Sequence, residues 1–102
     1  MQVQDLINSI ISYYPNADTE LIRRAYTFAR EKHEGQIRSS GEPYITHVSE
    51  VANLATKLKL DTASIITALL HDTVEDTGVT IEEIEGKFGK SVATLVDGVT
   101  KL

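Results

Sequence analysis

The sequence predicts an all-α fold, a bundle of about six helices, and three observations carry the prediction. Apolar residues recur at helical spacing along nearly the whole chain, and no alternating strand pattern competes with them. Capping residues stand just ahead of several of these runs, with Asp18, Asp61, Thr80 and Ser91 in the leading places. One run, around Ile65–Leu70, is apolar over most of a helix circumference, the pattern of a helix at the centre of a bundle.

Taken in order, Leu6, Ile7, Ile10, Ile11 and Tyr14 mark a first amphipathic helix, stopped by Pro15. Asp18 caps a second, with Leu21, Ile22, Ala25, Phe28 and Ala29 as its apolar stripe and an end near Gly35. Residues 36–44 contain Ser39, Ser40, Gly41 and Pro43 and read as a loop. His47 opens a third helix, whose stripe is Val48, Val51, Ala52, Leu54, Ala55 and Leu58. Asp61 caps the fourth, from about Thr62 to Val74, and Thr77-Gly78 breaks the chain after it. Thr80 with Glu83 forms a capping box for a short fifth helix through Phe88. Gly89 ends that helix, and Ser91 caps a sixth carrying Val92, Val96 and Val99. The sixth runs to Lys101-Leu102 with no stop signal, which reads as a chain cut short.

Composition narrows the function. The chain has 102 residues, enough for one domain with a core of its own. It has no cysteine, so disulfides, thiolate metal sites and cysteine nucleophiles are excluded, and any metal must be held by nitrogen and oxygen. A net charge of −5 speaks against a nucleic-acid partner, which needs a basic surface. No basic region precedes an apolar run at the N-terminus and no segment approaches membrane-span length, so a cytoplasmic location without membrane contact is expected.

The chemistry concentrates in His71–Asp76, which reads HDTVED. Carboxylates are seldom buried without a partner, and here three of them and a histidine adjoin a core segment. Such a cluster asks for a compensating cation. His71 and Asp72 are adjacent near the end of helix four, and Glu75 and Asp76 follow them at i+4, on the same faces. His47, upstream, can complete the set. Imidazole mixed with carboxylate favours manganese, iron or zinc over magnesium or calcium. A metal there polarises a phosphoryl oxygen and acidifies water, while Glu75 or Asp76 orients the water or takes its proton. Neutral imidazole and ionised carboxylate are the ligand forms, so binding weakens as pH falls into the histidine range. The reading is a divalent-metal phosphohydrolase site on a helical scaffold.

Each residue also has a plain reading. An isolated helical histidine is more often a satisfied core residue than a ligand, but Asp72 and the following acidic pair reverse that judgement for His71. Glu75 and Asp76 oppose the helix dipole at a C-terminus, and a local conflict of that kind marks functional sites. His33 reads as a favourable C-terminal histidine, Arg38 taken singly as a surface charge, and Asp97 as structural. Tyr13, Tyr14, Tyr26, Phe28 and Phe88 read as core or its edge.

Three stretches, GQIRSSGEPYITH (Gly35–His47), ALLHDTVEDT (Ala68–Thr77) and FGKSVATLVDGVTKL (Phe88–Leu102), resemble in order and spacing the HD hydrolase domain of the RelA/SpoT proteins. The resemblance covers residues 22–102 and implies an HD-domain helical bundle whose C-terminal part is absent. It implies a manganese-dependent hydrolase that removes pyrophosphate from the 3′ position of the guanine nucleotide alarmones ppGpp and pppGpp. Carried over by motif, His47, His71 and Asp72 are the metal ligands and Glu75 and Asp76 activate the attacking water. Arg38 contacts the nucleotide. The intact HDTVED run resembles the hydrolysing members, since synthesis-only members have lost it.

The chain departs from the family pattern at three places. Val48 stands where proline usually follows the first histidine, which touches the helix start. Ser39 stands where a lysine often follows the loop arginine, which removes a cation from the nucleotide pocket. The resemblance places a further metal-binding aspartate of the family beyond the position of Leu102, and the chain read as cut short is expected to lack the family's synthetase and regulatory domains. Two other readings therefore remain: a non-catalytic helical module keeping the metal signature, and a phosphohydrolase of another nucleotide. Without the later helices, helix four is left with apolar surface on one side, and surface of that kind marks association. The chain is accordingly expected to self-associate or to be marginally stable; a strictly monomeric sample with a sharp two-state unfolding transition would contradict this.

Overall fold

The computed structural model describes residues 2–101. Six helices follow one another: α1 (Val3–Ile11), α2 (Thr19–Lys32), α3 (Tyr44–Lys57), α4 (Thr62–Thr77), α5 (Ile81–Phe88) and α6 (Lys90–Thr100). Among the described residues there is no strand beyond a single antiparallel bridge between Ile37 and Pro43. No helix among them is long and apolar enough to cross a membrane.

The apolar circumference of α4 has the consequence its pattern predicts. Ile65, Ile66, Leu69 and Leu70 are fully buried, and α2, α3 and α6 all pack on this helix. Ile22 and Ala25 come from α2, Val48 and Ala52 from α3, and Val92 and Val96 from α6 to close the core around it. Leu6, Ile7 and Ile10 of α1 complete one side, and Ile84 and Phe88 of α5 the other.

Asp18, Asp61 and Thr80 cap their helices as the sequence predicts, accepting backbone N–H bonds from Leu21, Ser64 and Glu83. Several boundaries differ from expectation. The third helix opens at Tyr44, not His47, because Pro43 occupies the cap position with an extended backbone that leads into the first turn. The fourth continues past Val74 to Thr77, so the whole acidic run is helical, and Gly78 ends it in the left-handed conformation (φ +78°). Ser91 lies inside α6 and is not its cap; Gly89 both ends α5 and begins α6, at φ +97° and ψ 165°. The first helix stops at Ile11, ahead of Pro15, and Tyr14 is exposed, not core.

Two leucines of the expected α3 stripe also face out: Leu54 is 59% and Leu58 73% exposed. With Leu60, Leu95 and Val99 they line an apolar groove of about 470 Å³ that reaches Ala68 and His71 of α4. Apolar surface thus lies open beside α4, as expected. The i, i+4 spacing places Leu54 and Leu58 together at the flank of the buried stripe, where periodicity alone cannot say which edge is covered.

The Asp61 cap fixes the start of the helix that carries the acidic cluster. Ser64, through its side chain first and then its backbone N–H, holds the Asp61 carboxyl below its ordinary value of 3.8. A carboxyl lowered in the folded state contributes stability that is complete above 3.8 and is lost as pH falls through the folded value. Asp61→Ala is expected to cost about 1 kcal/mol near neutrality. That cost should shrink in strong acid, and urea unfolding of both chains across this pH range checks it; a cost unchanged in acid would refute the assignment.

Candidate metal and phosphate site

The site is built where the N-terminal turn of α3 meets the last two turns of α4. Asp72 is buried at 8% exposure, its neighbour Thr73 completely so, while Glu75 and Asp76 one turn later are exposed. An ionised carboxylate removed from water needs partners on its oxygens. Asp72 has a donor on one oxygen and a histidine nitrogen facing each. His71 Nε2 lies 3.1 Å from Oδ1, and His47 Nε2 lies 4.0 Å from Oδ2. The Tyr44 hydroxyl donates to Oδ2 at 3.0 Å.

The structure therefore brings together His47, His71 and Asp72 around one carboxylate. Because α3 begins at Tyr44, that tyrosine and His47 stand at i, i+3 on one face, with ring centroids 5.6 Å apart and edge-on at 81°. Burial, followed by the nearby Asp72 and Asp76 carboxylates, pushes the Tyr44 phenol well above its usual range, so it stays a donor. Asp76 is drawn in from the loop as well, since Gln36 Nε2 donates to its main-chain carbonyl at 3.2 Å.

The tautomer of His71 follows from geometry. Its Nδ1 lies 3.1 Å from the Ala68 carbonyl, which can only accept, so Nδ1 carries the proton. In its neutral form the ring then turns a lone pair, not a proton, toward Asp72 Oδ1. Two electron-rich atoms at 3.1 Å call for a positive charge between or upon them. A histidine that donates its second N–H to a carbonyl is also the usual arrangement for a metal ligand. The donor set fits a divalent transition metal in its chemistry. In their arrangement here, among the described residues, no group of three or more His, Cys, Asp or Glu side chains is placed to hold a metal ion.

Among the described residues, Arg38 makes no side-chain hydrogen bond or ion pair with this cluster. It sits in a tight hairpin, where its N–H donates to the Glu42 carbonyl and its own carbonyl accepts from Gly41. Its side chain is exposed. Glu75 and Asp76 stand on the exposed turn beside the site, placed by the continuous helix one turn beyond His71 and Asp72.

Sequence reasoning missed Tyr44, Gln36 and the burial of His33. A helix start set by Pro43 would have exposed the first, since it places Tyr44 and His47 on one face. No sequence signal distinguishes Gln36 from any other loop amide.

Residues 25–102 match the HD domain family. The chain is 53% identical, over 92% of its length and 12% of the relative's, to a GTP pyrophosphokinase of Myxococcus xanthus. It is 50% identical over its full length to the bifunctional (p)ppGpp synthase/hydrolase SpoT of Escherichia coli K12, covering 15% of that protein. A guanosine-3′,5′-bis(diphosphate) 3′-pyrophosphohydrolase of Aquifex aeolicus is 49% identical over the full chain, which spans 14% of it.

The His71 tautomer is open to direct test. Long-range ¹⁵N–¹H correlation spectra of the metal-free chain at about pH 8.5, where imidazoles are neutral, should show Nδ1 protonated and Nε2 bare. The opposite pattern would remove the Ala68 bond and with it the orientation of the ring.

Proposed function

The chain belongs to the HD domain family and to its RelA/SpoT group, and from that membership we propose that it is the alarmone-hydrolysing part of such a protein. The reaction is removal of pyrophosphate from the 3′ position of ppGpp or pppGpp, yielding GDP or GTP. One observation supports this above the others: His47, His71 and Asp72 meet at a nearly buried carboxylate, with two exposed carboxylates one turn away.

In this reading His47, His71 and Asp72 hold manganese. Bound there, the metal would supply Lewis acidity toward a phosphoryl oxygen and make an attacking water more acidic. The residues of the chain do the rest. Glu75 and Asp76, exposed on the rim, orient the water and accept its proton. Tyr44 remains protonated and keeps Asp72 in place. Arg38 meets the guanine nucleotide from the hairpin side, as a cation at the edge of an otherwise acidic site. Ser39 beside it offers a hydroxyl in place of a second charge.

A second reading is favoured by the apolar groove beside His71. There the chain is a helical interaction module that keeps the metal signature without turnover, and self-association through Leu54, Leu58 and Leu95 belongs to it.

The test is pyrophosphate release from ppGpp with manganese, beside a chain carrying His71→Ala and Asp72→Ala. The parent should turn over and the double variant should lose at least about 10²-fold, the scale on which removal of metal-held chemistry acts. Equal rates in the two would overturn the hydrolase reading, and a folded but inactive parent would favour the module.

A further inference from the structure

The reaction as proposed leaves one buried titratable residue without a role. His33 caps the end of α2 and is 2% exposed. Its Nε2 is buried with no hydrogen-bond partner, which costs stability, so an apolar ring would serve packing better. The other nitrogen shows what the polar ring provides. His33 Nδ1 lies 2.9 Å from Gln36 Oε1. The orientation of that amide is fixed by its other end, since Gln36 Nε2 donates to the Asp76 carbonyl, which can only accept. Oε1 therefore faces the imidazole, and Nδ1 donates to it.

The flat face of His33 carries a second link. Tyr44 stacks on it with ring centroids 4.6 Å apart and planes 19° from parallel. Tyr44 also touches two of the three proposed ligands, edge-on to the His47 ring and by its hydroxyl to Asp72 Oδ2. One buried imidazole is thus joined by two short routes to both ends of the acidic turn. Through Tyr44 it reaches Asp72 and His47, and through Gln36 it reaches the main chain at Asp76.

We propose that Tyr44, braced by His33, is the positioning residue that holds Asp72 and His47 for cation binding. Tyr44 fixes the rotation of the carboxylate: its O–H donates to Oδ2, the oxygen that also faces His47 at 4.0 Å, and this turns Oδ1 toward His71. The stack on His33 restrains the ring that carries the hydroxyl, and partners one shell beyond a ligand set both its orientation and its basicity. The inference rests on the metal-holding reading of the cluster and adds to it Tyr44, which opens α3, and His33, which caps the end of α2.

The experiment is manganese titration of the whole chain, with the free ion followed by electron paramagnetic resonance and melting of each metal-free variant recorded in parallel. Tyr44→Phe keeps the ring and the stack and deletes only the donor. It should weaken manganese binding about 10- to 100-fold, with the metal-free melting temperature close to that of the parent. His33→Ala deletes the brace and leaves the hydroxyl, and should also weaken binding. The double variant should be little worse than the weaker single one, because both act through the same phenol. Unchanged affinity in a folded Tyr44→Phe chain overturns the proposal while leaving the metal reading intact. Should that variant fail to fold, unchanged affinity in His33→Ala overturns it equally. A parent that binds manganese no better than the chain with His71→Ala and Asp72→Ala overturns the metal reading, and this inference with it.

Discussion

A carboxylate taken out of water needs partners on its oxygens, and the arrangement of α3 against α4 supplies Oδ2 of Asp72 with the Tyr44 donor. Its two oxygens face opposite ways, one toward its neighbour His71 and one toward Tyr44 and His47 across the helix interface. The interface can close only where α3 begins at Tyr44, since one residue of slippage would turn both aromatic rings about 100° away. Pro43, the hairpin bond from the Tyr44 N–H to the Gln36 carbonyl, and the buried Val48 all fix that phase.

Helix α4 reconciles two demands that oppose each other. Its middle, residues 65–70, is largely buried among α2, α3 and α6 and is mostly apolar; its last turn must carry charge to the surface. Acidic groups at a helix C-terminus face the negative end of the dipole, and no basic residue stands in that last turn to relieve it. Thr73 and Thr77 turn their hydroxyls onto main-chain carbonyls one turn back, at 2.6 Å in each case. Those bonds satisfy the hydroxyls locally and leave the electrostatic conflict at Glu75 and Asp76 in place. A helix end so unfavourable to anions is a favourable place for a cation.

Much of this was legible in the chain. The six helices, the central position of α4 and three caps follow from periodicity and from Asp18, Asp61 and Thr80, because those signals act within one turn. His71 and Asp72 announced themselves by charge beside an apolar run. The parts that stayed hidden depend on contacts across the chain. Tyr44 meets Asp72 over 28 positions and Gln36 meets Asp76 over 40, distances at which no local pattern constrains a partner. Leu54 and Leu58 carry the right periodicity for burial and are nevertheless exposed, because no described helix covers that edge of α3.

The joint at Gly89 sets how much change this chain can absorb. A single residue serves as both the end of α5 and the start of α6, in a backbone conformation (φ +97°) that side chains other than hydrogen resist. There is no slack there to take up an extra residue. An insertion would advance every following side chain by about 100° around the helix axis and swing Val92 and Val96 off α4. The last helix thus behaves like a keyed shaft: its angular setting against α4 depends on one glycine, and this joint has no room for change in length.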